Sequence, residues 1–401
     1  MKEVAERVAA QRQLPLLAPV PAALFSEEEL RAHMRESLTD TYAPEAAAAD
    51  AALLHLLGFT EPGTDLFAIY LDLLSEQVGG FYDADTRALF LVRRDEDEPY
   101  REPLVLEHEL IHALQDQSFD LTAIDRLELD NSDVDTAIRS LIEGDATYFN
   151  VRVMTGDTLA GMGPLPLGNG GARVDAEPGT VLAQAPDLIS RSLVFPYLQG
   201  AEFVQHLYRN DGYRAVNRAF RSHPPLSTEQ ILHPERYLRP APDWPVALSL
   251  PDDSAPSGAT LLDEDTLGEL GVLSWLETVG QLDLVGEPLG WGGDRYRVYA
   301  LPRGGEALVW MTTWDGPAEA ERFEHRARHT LLPTATGRWR ADGSLRHSEV
   351  RATVRREGTD VVVVVGLPRR EAAQLARTAL RNTERTLFSS AAVFSDRPRD
   401  P

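Results

Sequence analysis

The sequence predicts an α+β protein: a mostly helical first part that carries a β-hairpin, followed by a smaller α/β unit. Three observations lead there. Apolar residues recur at helical spacing through residues 44–57, 65–77, 104–117 and 135–153. Two short β-prone runs flank the turn chemistry of residues 83–86. Beyond a proline-rich stretch, strand-like and helix-like runs follow one another to residue 382. A chain of 401 residues exceeds one ordinary core. The expected division is an N-terminal arm at 1–43, a first domain at 44–239 and a Pro-rich linker at 240–260. An α/β accessory domain at 261–388 and a tail at 389–401 complete it.

Each element has a local cause. In the arm, Pro15, Pro19 and Pro21 break any long helix. Ser26 with Glu29 three residues on is a capping box that starts one. Residues 44–57 are alanine-rich and stop at Gly58. Residues 65–77 set Leu66, Ile69, Tyr70, Leu73 and Leu74 at helical spacing. Gly79 and Gly80 then open a hairpin with Phe81-Tyr82 on one side of the turn and residues 89–92 on the other. An edge strand there can pair with an extended peptide backbone. The acidic run 95–98 reads as a solvated loop, and Pro99 or Pro103 as the first turn of the next helix.

That next helix, LVLEHELIHALQDQ at 104–117, contains His108, Glu109 and His112. Residues four apart lie one turn above each other on a helix, so both imidazoles can address one point. These are two protein ligands of a zinc site. Glu109 sits one position round, where it can reach a water on the metal as general base. Leu106, Leu110, Ala113 and Leu114 form the opposite, core-facing stripe. Asp116, four residues past His112, is a candidate acceptor to orient a ligand histidine. Asp130, Asp133 and Asp135 have neither the glycine nor the distal glutamate of a calcium loop; Ser132 or Asp135 reads as a helix cap. In the following helix Glu143 stands among Leu141, Ile142 and Ala146. A carboxylate in such company needs a partner, and a metal held with His108 and His112 is one.

HELIH followed by a helix bearing EGDA resembles the gluzincin, thermolysin-like zinc metallopeptidases. The wider run from QVGGFYD through EGDATYF to PPLSTEQILHPERY is similar to a bacterial family of zinc peptidases known mainly by sequence. The resemblance covers roughly residues 77–238 and implies a zincin-like catalytic domain, a Zn2+ cofactor held by His108, His112 and Glu143, and a peptide or protein substrate. It also implies a downstream His or Tyr that donates a hydrogen bond to the tetrahedral intermediate, and His233 is the candidate by chain order. The family's second helix carries Asp four residues after its Glu; here that position is Thr147. The same ligands would also suit a catalytically silent, zinc-stabilised binding module or a hydrolase of other bonds.

Residues 155–187 are rich in Gly and Pro and read as a lid or cleft wall. Residues 195–210 read as a helix ending at Asp211-Gly212, and 227–233 as a short one with a capping box of Ser227 and Gln230. In the accessory domain, helices are expected at 266–278, 318–331 and 369–382, and strands at 295–301, 307–313, 350–356 and 361–365. A ferredoxin-like sandwich is one arrangement of these. WGGDR at 291–295 is too short a glycine signal for a phosphate site.

Composition narrows the partners. The net charge of −24 repels phosphate, so nucleic acid is not expected. Without cysteine there is no thiolate ligand or nucleophile. No apolar run reaches membrane-spanning length. The start, MKEVAERVAAQRQ, is polar and amphipathic, unlike a leader; a cytoplasmic location is expected unless a signal peptide was trimmed. Oligomeric state leaves no mark in the sequence.

Overall fold

The computed structural model describes residues 1–93, 101–125, 131–156, 179–284, 287–332, 338–346 and 351–388. The protein is α+β. Among the described residues no helix is long and apolar enough to cross a membrane. The acidic run 95–98, Pro99, Asp130, most of the expected lid (157–178) and the tail from 389 lie outside the described residues.

The chain opens with α1 (Lys2–Arg12), then β1 (Ala22–Ser26), which runs straight into α2 (Glu27–Thr41). Ser26 and Glu29 form the expected reciprocal capping box. α3 (Pro44–Leu57) ends on Gly58 in the left-handed region, and α4 (Leu66–Gln77) starts on Asp65, which accepts the Ala68 N–H. β2 (Gly80–Asp83) and β3 (Ala88–Arg93) make the expected hairpin. β1, not anticipated from sequence, adds parallel to β3, so the order β1-β3-β2 leaves β2 at the edge. Next come α5 (Arg101–Phe119), α6 (Leu121–Asp125), α7 (Ser132–Thr155), α8 (Val181–Gln184) and α9 (Asp187–Ser222). α7 is capped by Asn131, which accepts the N–H groups of Asp133 and Val134, rather than by Ser132 or Asp135. α9 breaks at Asp211-Gly212, where the backbone leaves helical geometry, and a second helical stretch follows. α10 (Thr228–Leu232) and α11 (Pro234–Tyr237) end this part. Ser227 caps α10 as expected, but the Gln230 side chain accepts from Leu226 N–H, one residue earlier than a capping box requires.

α1, α5, α7 and α9 share one core, with Val8, Leu110, Leu114, Leu141, Phe149 and Val204 fully buried in it. Residues 2–12 of the expected arm are therefore packed into the body of the protein. α7 and α9 touch backbone to backbone: a Cβ on Gly144 would stand 2.2 Å from the Gly200 carbonyl carbon, and one on Gly200 would stand 2.2 Å from the Ser140 carbonyl oxygen.

The C-terminal part begins inside the expected linker. β4 (Val246–Ser249) is followed by β5 (Thr260–Asp265), α12 (Gly268–Ser274), β6 (Trp291–Ala300), β7 (Glu306–Trp314) and α13 (Pro317–Thr330). Then come β8 (Arg338–Trp339), β9 (Leu345–Arg346), β10 (Ala352–Glu357), β11 (Asp360–Val365), α14 (Arg369–Asn382) and β12 (Glu384–Leu387). The main sheet has the order β10-β11-β7-β6-β5 with every pair antiparallel. A ferredoxin-like sandwich keeps its helices on one face. Here Val361, Val363 and Trp310 pack with Phe323 of α13, whereas Val362, Val364 and Met311 pack with Leu375 and Ala376 of α14. The helices cover opposite faces, which corrects the expected two-layer arrangement. Ala52, Leu53 and Leu57 of α3 join the α13 side, so a helix assigned by sequence to the first domain packs on the second. Asp294 of WGGDR is buried and accepts the indole N–H groups of Trp291 and Trp310, a structural role.

Where the two parts meet, Asp133 is buried and accepts the Thr228 N–H and hydroxyl at 3.0 and 2.5 Å. Burial pushes its carboxyl up to about 7, against the Thr228 bonds that draw it down. The folded protein thus keeps a proton that the unfolded chain releases near 3.8. The group's contribution to stability is complete below that value and is lost as pH rises towards 7. Asn at this position can accept the same Thr228 donors, so Asp133→Asn is expected to flatten the fall in melting temperature between about pH 4 and about pH 7. Melting curves across that range check it, and an unchanged slope would exclude Asp133 as the source.

Candidate metal centre

α5 sets His108 and His112 one turn apart, and α7 runs beside it and brings Glu143 to them. Glu143 Oε2 lies 3.1 Å from His108 Nε2 and 3.2 Å from His112 Nε2. Among the described residues this is the one group of three or more His, Asp or Glu side chains with metal-holding geometry. Around a tetrahedral ion with bonds of about 2.0–2.1 Å, ligand atoms stand about 3.3 Å apart. The observed spacing fits one such ion, and the donor set of two imidazoles and a carboxylate suits zinc.

His112 is held from behind. Its Nδ1–H donates to Gln115 Oε1 at 2.9 Å, and Gln115 Nε2 donates to the Ile142 carbonyl at 3.1 Å and to Asp145 Oδ2 at 2.8 Å. Because the amide nitrogen faces two acceptors, its oxygen faces the imidazole. That puts the proton on Nδ1 and leaves Nε2 free to ligate. Asp145 in turn receives Arg12 Nε at 2.8 and 3.0 Å. Asp116, expected in this orienting role, does not touch His112. It accepts the Tyr82 hydroxyl at 2.8 Å and the Leu121 N–H at 3.1 Å, which ties the hairpin and α6 to the end of α5. The carboxylate missing at Thr147 has a counterpart in Asp145, which reaches His112 through Gln115.

The electrostatics follow from burial and charge. Burial alone would lower the His112 pKa, but Glu143 beside it more than reverses this and pushes it up to about 10. Burial alone would raise Glu143, and the imidazoles hold it well below the usual carboxylate range. A cation bound between these groups would displace the His112 proton that faces Glu143. Glu109 is 6% exposed. Burial pushes its carboxyl above the usual range, with the two histidines pulling the other way, and it accepts the backbone N–H of Tyr82. The acid next to the ligands is thus bonded to the edge strand β2.

A cleft of about 970 Å³ opens over these groups, lined by β2, the exposed faces of α5 and α7, His33 and Met34 of α2, and Tyr197 of α9. The Tyr197 ring stacks on His108, 6.0 Å between centroids, and its hydroxyl is hydrogen-bonded to Glu143. The Glu143 charge beside it keeps its proton on well beyond the ordinary range. Sequence reasoning missed Tyr197, because nothing in the apolar run SLVFPYLQG separates it from a core aromatic. His233 lies elsewhere, and its expected place in the site is corrected: Nε2 pairs with Glu269 Oε2 at 3.0 Å, where α10 and α11 meet α12. Burial would lower its pKa; the Glu269 carboxylate outweighs that and raises it. Chain order was the whole basis for choosing it, and chain order does not bring it to the cleft.

Residues 259–377 match a domain of unknown function, DUF8575, a span that runs from just before β5 into α14 and leaves the metal-capable helices outside it. No curated protein and no solved structure matches the chain.

Proposed function

We propose that this protein is a zinc-dependent peptidase with a zincin-like catalytic part of the gluzincin type. The observation that carries the reading is the arrival of Glu143 from a second helix within 3.1 and 3.2 Å of two imidazole nitrogens on α5, with buried Glu109 beside them. His108, His112 and Glu143 would hold the metal. Zinc, when bound, lowers the pKa of a water towards about 7 and polarises a scissile carbonyl. Glu109 takes the proton of the attacking water and delivers it to the leaving amine; burial raises its pKa, which favours holding the proton between the two transfers. β2, at the edge of its sheet, holds an extended substrate backbone beside the ligands. Tyr197, protonated at any working pH, donates a hydrogen bond where negative charge develops on the carbonyl oxygen.

Metal analysis should find stoichiometric zinc. Cleavage of an unbiased peptide mixture should vanish on chelation and return with zinc. Stoichiometric zinc without chelator-sensitive cleavage would instead make this a metal-stabilised binding module, and cleavage of esters but not peptides a hydrolase of another class.

A further inference from the structure

We infer that α1 is a working part of the metal centre: Arg12 is a positioning residue that sets how tightly His112 holds a metal, acting through Asp145 and Gln115. The inference rests on His108, His112 and Glu143 being metal ligands.

Arg12 is fully buried and fixed on three sides. Its Nε donates to both Asp145 oxygens, its Nη1 donates to Asn217 Oδ1 at 3.0 Å, and the guanidinium lies over the Tyr213 ring, 4.1 Å from its centroid. Asp145 is equally buried, and Arg12 is its ion-pair partner. A buried carboxylate deprived of its counter-charge is strongly destabilising, so the geometry around Asp145 depends on α1 being docked. A carboxylate only accepts hydrogen bonds. Asp145 therefore draws the Gln115 NH2 towards itself and turns the Gln115 oxygen to His112. With Asp145 displaced, the amide loses one of the two acceptors that fix it. The reversed amide would offer His112 a donor in place of an acceptor and favour the tautomer with the proton on Nε2, the atom that faces Glu143.

The relay crosses three helices. It starts on α1, passes through α7 and ends on α5. Further contacts along α5 keep α1 and the segment after it in place: Arg7 pairs with Glu107 at 2.7 Å, and Gln117 exchanges hydrogen bonds with the backbone of Leu17 and Ala18. The first dozen residues thus complete a site whose ligands begin at residue 108.

The test replaces the buried pair with apolar groups of similar size, Arg12→Met with Asp145→Leu, since such exchanges often preserve folding. Zinc affinity is measured by competition with a chromophoric chelator, alongside melting of the metal-free protein and, by NMR of the zinc-loaded protein, the protection of the His112 Nδ1–H from solvent exchange. Gln115→Met is a second variant that leaves the Arg12–Asp145 pair intact, and Val363→Ala in the C-terminal sheet is a control for general loss of stability. Both site variants are expected to bind zinc about 10–100-fold more weakly and to lose the exchange protection that the Gln115 bond gives Nδ1–H, while the control keeps both as wild type. A folded double variant or a Gln115→Met protein with wild-type affinity overturns the inference. So does an equal loss in the control at matched stability. Wild-type protein that holds no zinc is a separate result: it removes the ligand assignment itself.

Discussion

Replacing Glu109 with glutamine is expected to leave zinc binding at wild-type strength and to slow peptide hydrolysis by about 10²–10⁴-fold. The two halves of this result have separate causes. Glu109 does not belong to the group of atoms that converge on the metal position, which is formed by His108, His112 and Glu143. Glutamine has the same shape and keeps a carbonyl oxygen to accept the Tyr82 N–H, so the contact between α5 and β2 survives. What glutamine lacks is a basic oxygen. It can neither take a proton from water nor pass one to an amine, and the side chain's burial leaves little room for bulk water to substitute. Zinc titration and kcat/KM on the same preparation check both halves. Undiminished turnover would take Glu109 out of the reaction, and a parallel loss of zinc would make it a support for the ligands.

Much of this centre was legible in the sequence, because its strongest signals are local. His108 and His112 need only the period of one helix. Glu143 stood out as an acid among Leu141, Ile142 and Ala146, a company that demands a partner. The cap at Ser26 and the left-handed stop at Gly58 are also local and were found where expected. The groups behind and over the site were not legible. Arg12 and Asp145 are far apart in the chain, and so are Tyr197 and His108; only the packing of α1 and α9 brings them together. Asp116 was the wrong choice for a related reason. Asp116 and Gln115 both lie about one turn past His112 on α5, and the competing bonds from Tyr82 and Leu121 that occupy Asp116 come from other elements.

The C-terminal sheet teaches the same lesson from its own sequence. Val361–Val365 is apolar at every position, and a strand without alternation is covered on both faces. All five valines are buried, with α13 on one side and α14 on the other. The run fits a strand covered on both faces better than a sandwich with one open face. β5 was harder to see, since TLLDED begins apolar and ends acidic, and those acids bond to partners remote in sequence: Asp263 to the Tyr296 hydroxyl and Glu264 to Arg297.

Gly200→Ala is expected to destabilise the protein by about 3 kcal/mol or more and to weaken zinc binding, although position 200 touches no ligand. Alanine ordinarily stabilises a helix interior relative to glycine by roughly 0.5–1 kcal/mol, so the sign here is set by the neighbour. A Cβ at Gly200 would lie 2.2 Å from the Ser140 carbonyl oxygen and 3.1 Å from the Gly144 Cα. Both belong to the backbone of α7, which cannot turn aside as a side chain can. Either α9 or α7 must shift, and the core they share is tightly filled. Glu143 is the residue next to Gly144, so a shift of α7 carries the ligand away from the imidazoles on α5. The melting temperature of the metal-free protein should fall by about 4 °C or more, and the additional stabilisation on adding zinc should shrink as well. A variant that melts lower but gains as much from zinc as wild type would mean that α9 alone yields and Glu143 stays in place. One that melts at or above the wild-type temperature would mean that the close crossing of these two helices does not exist in solution.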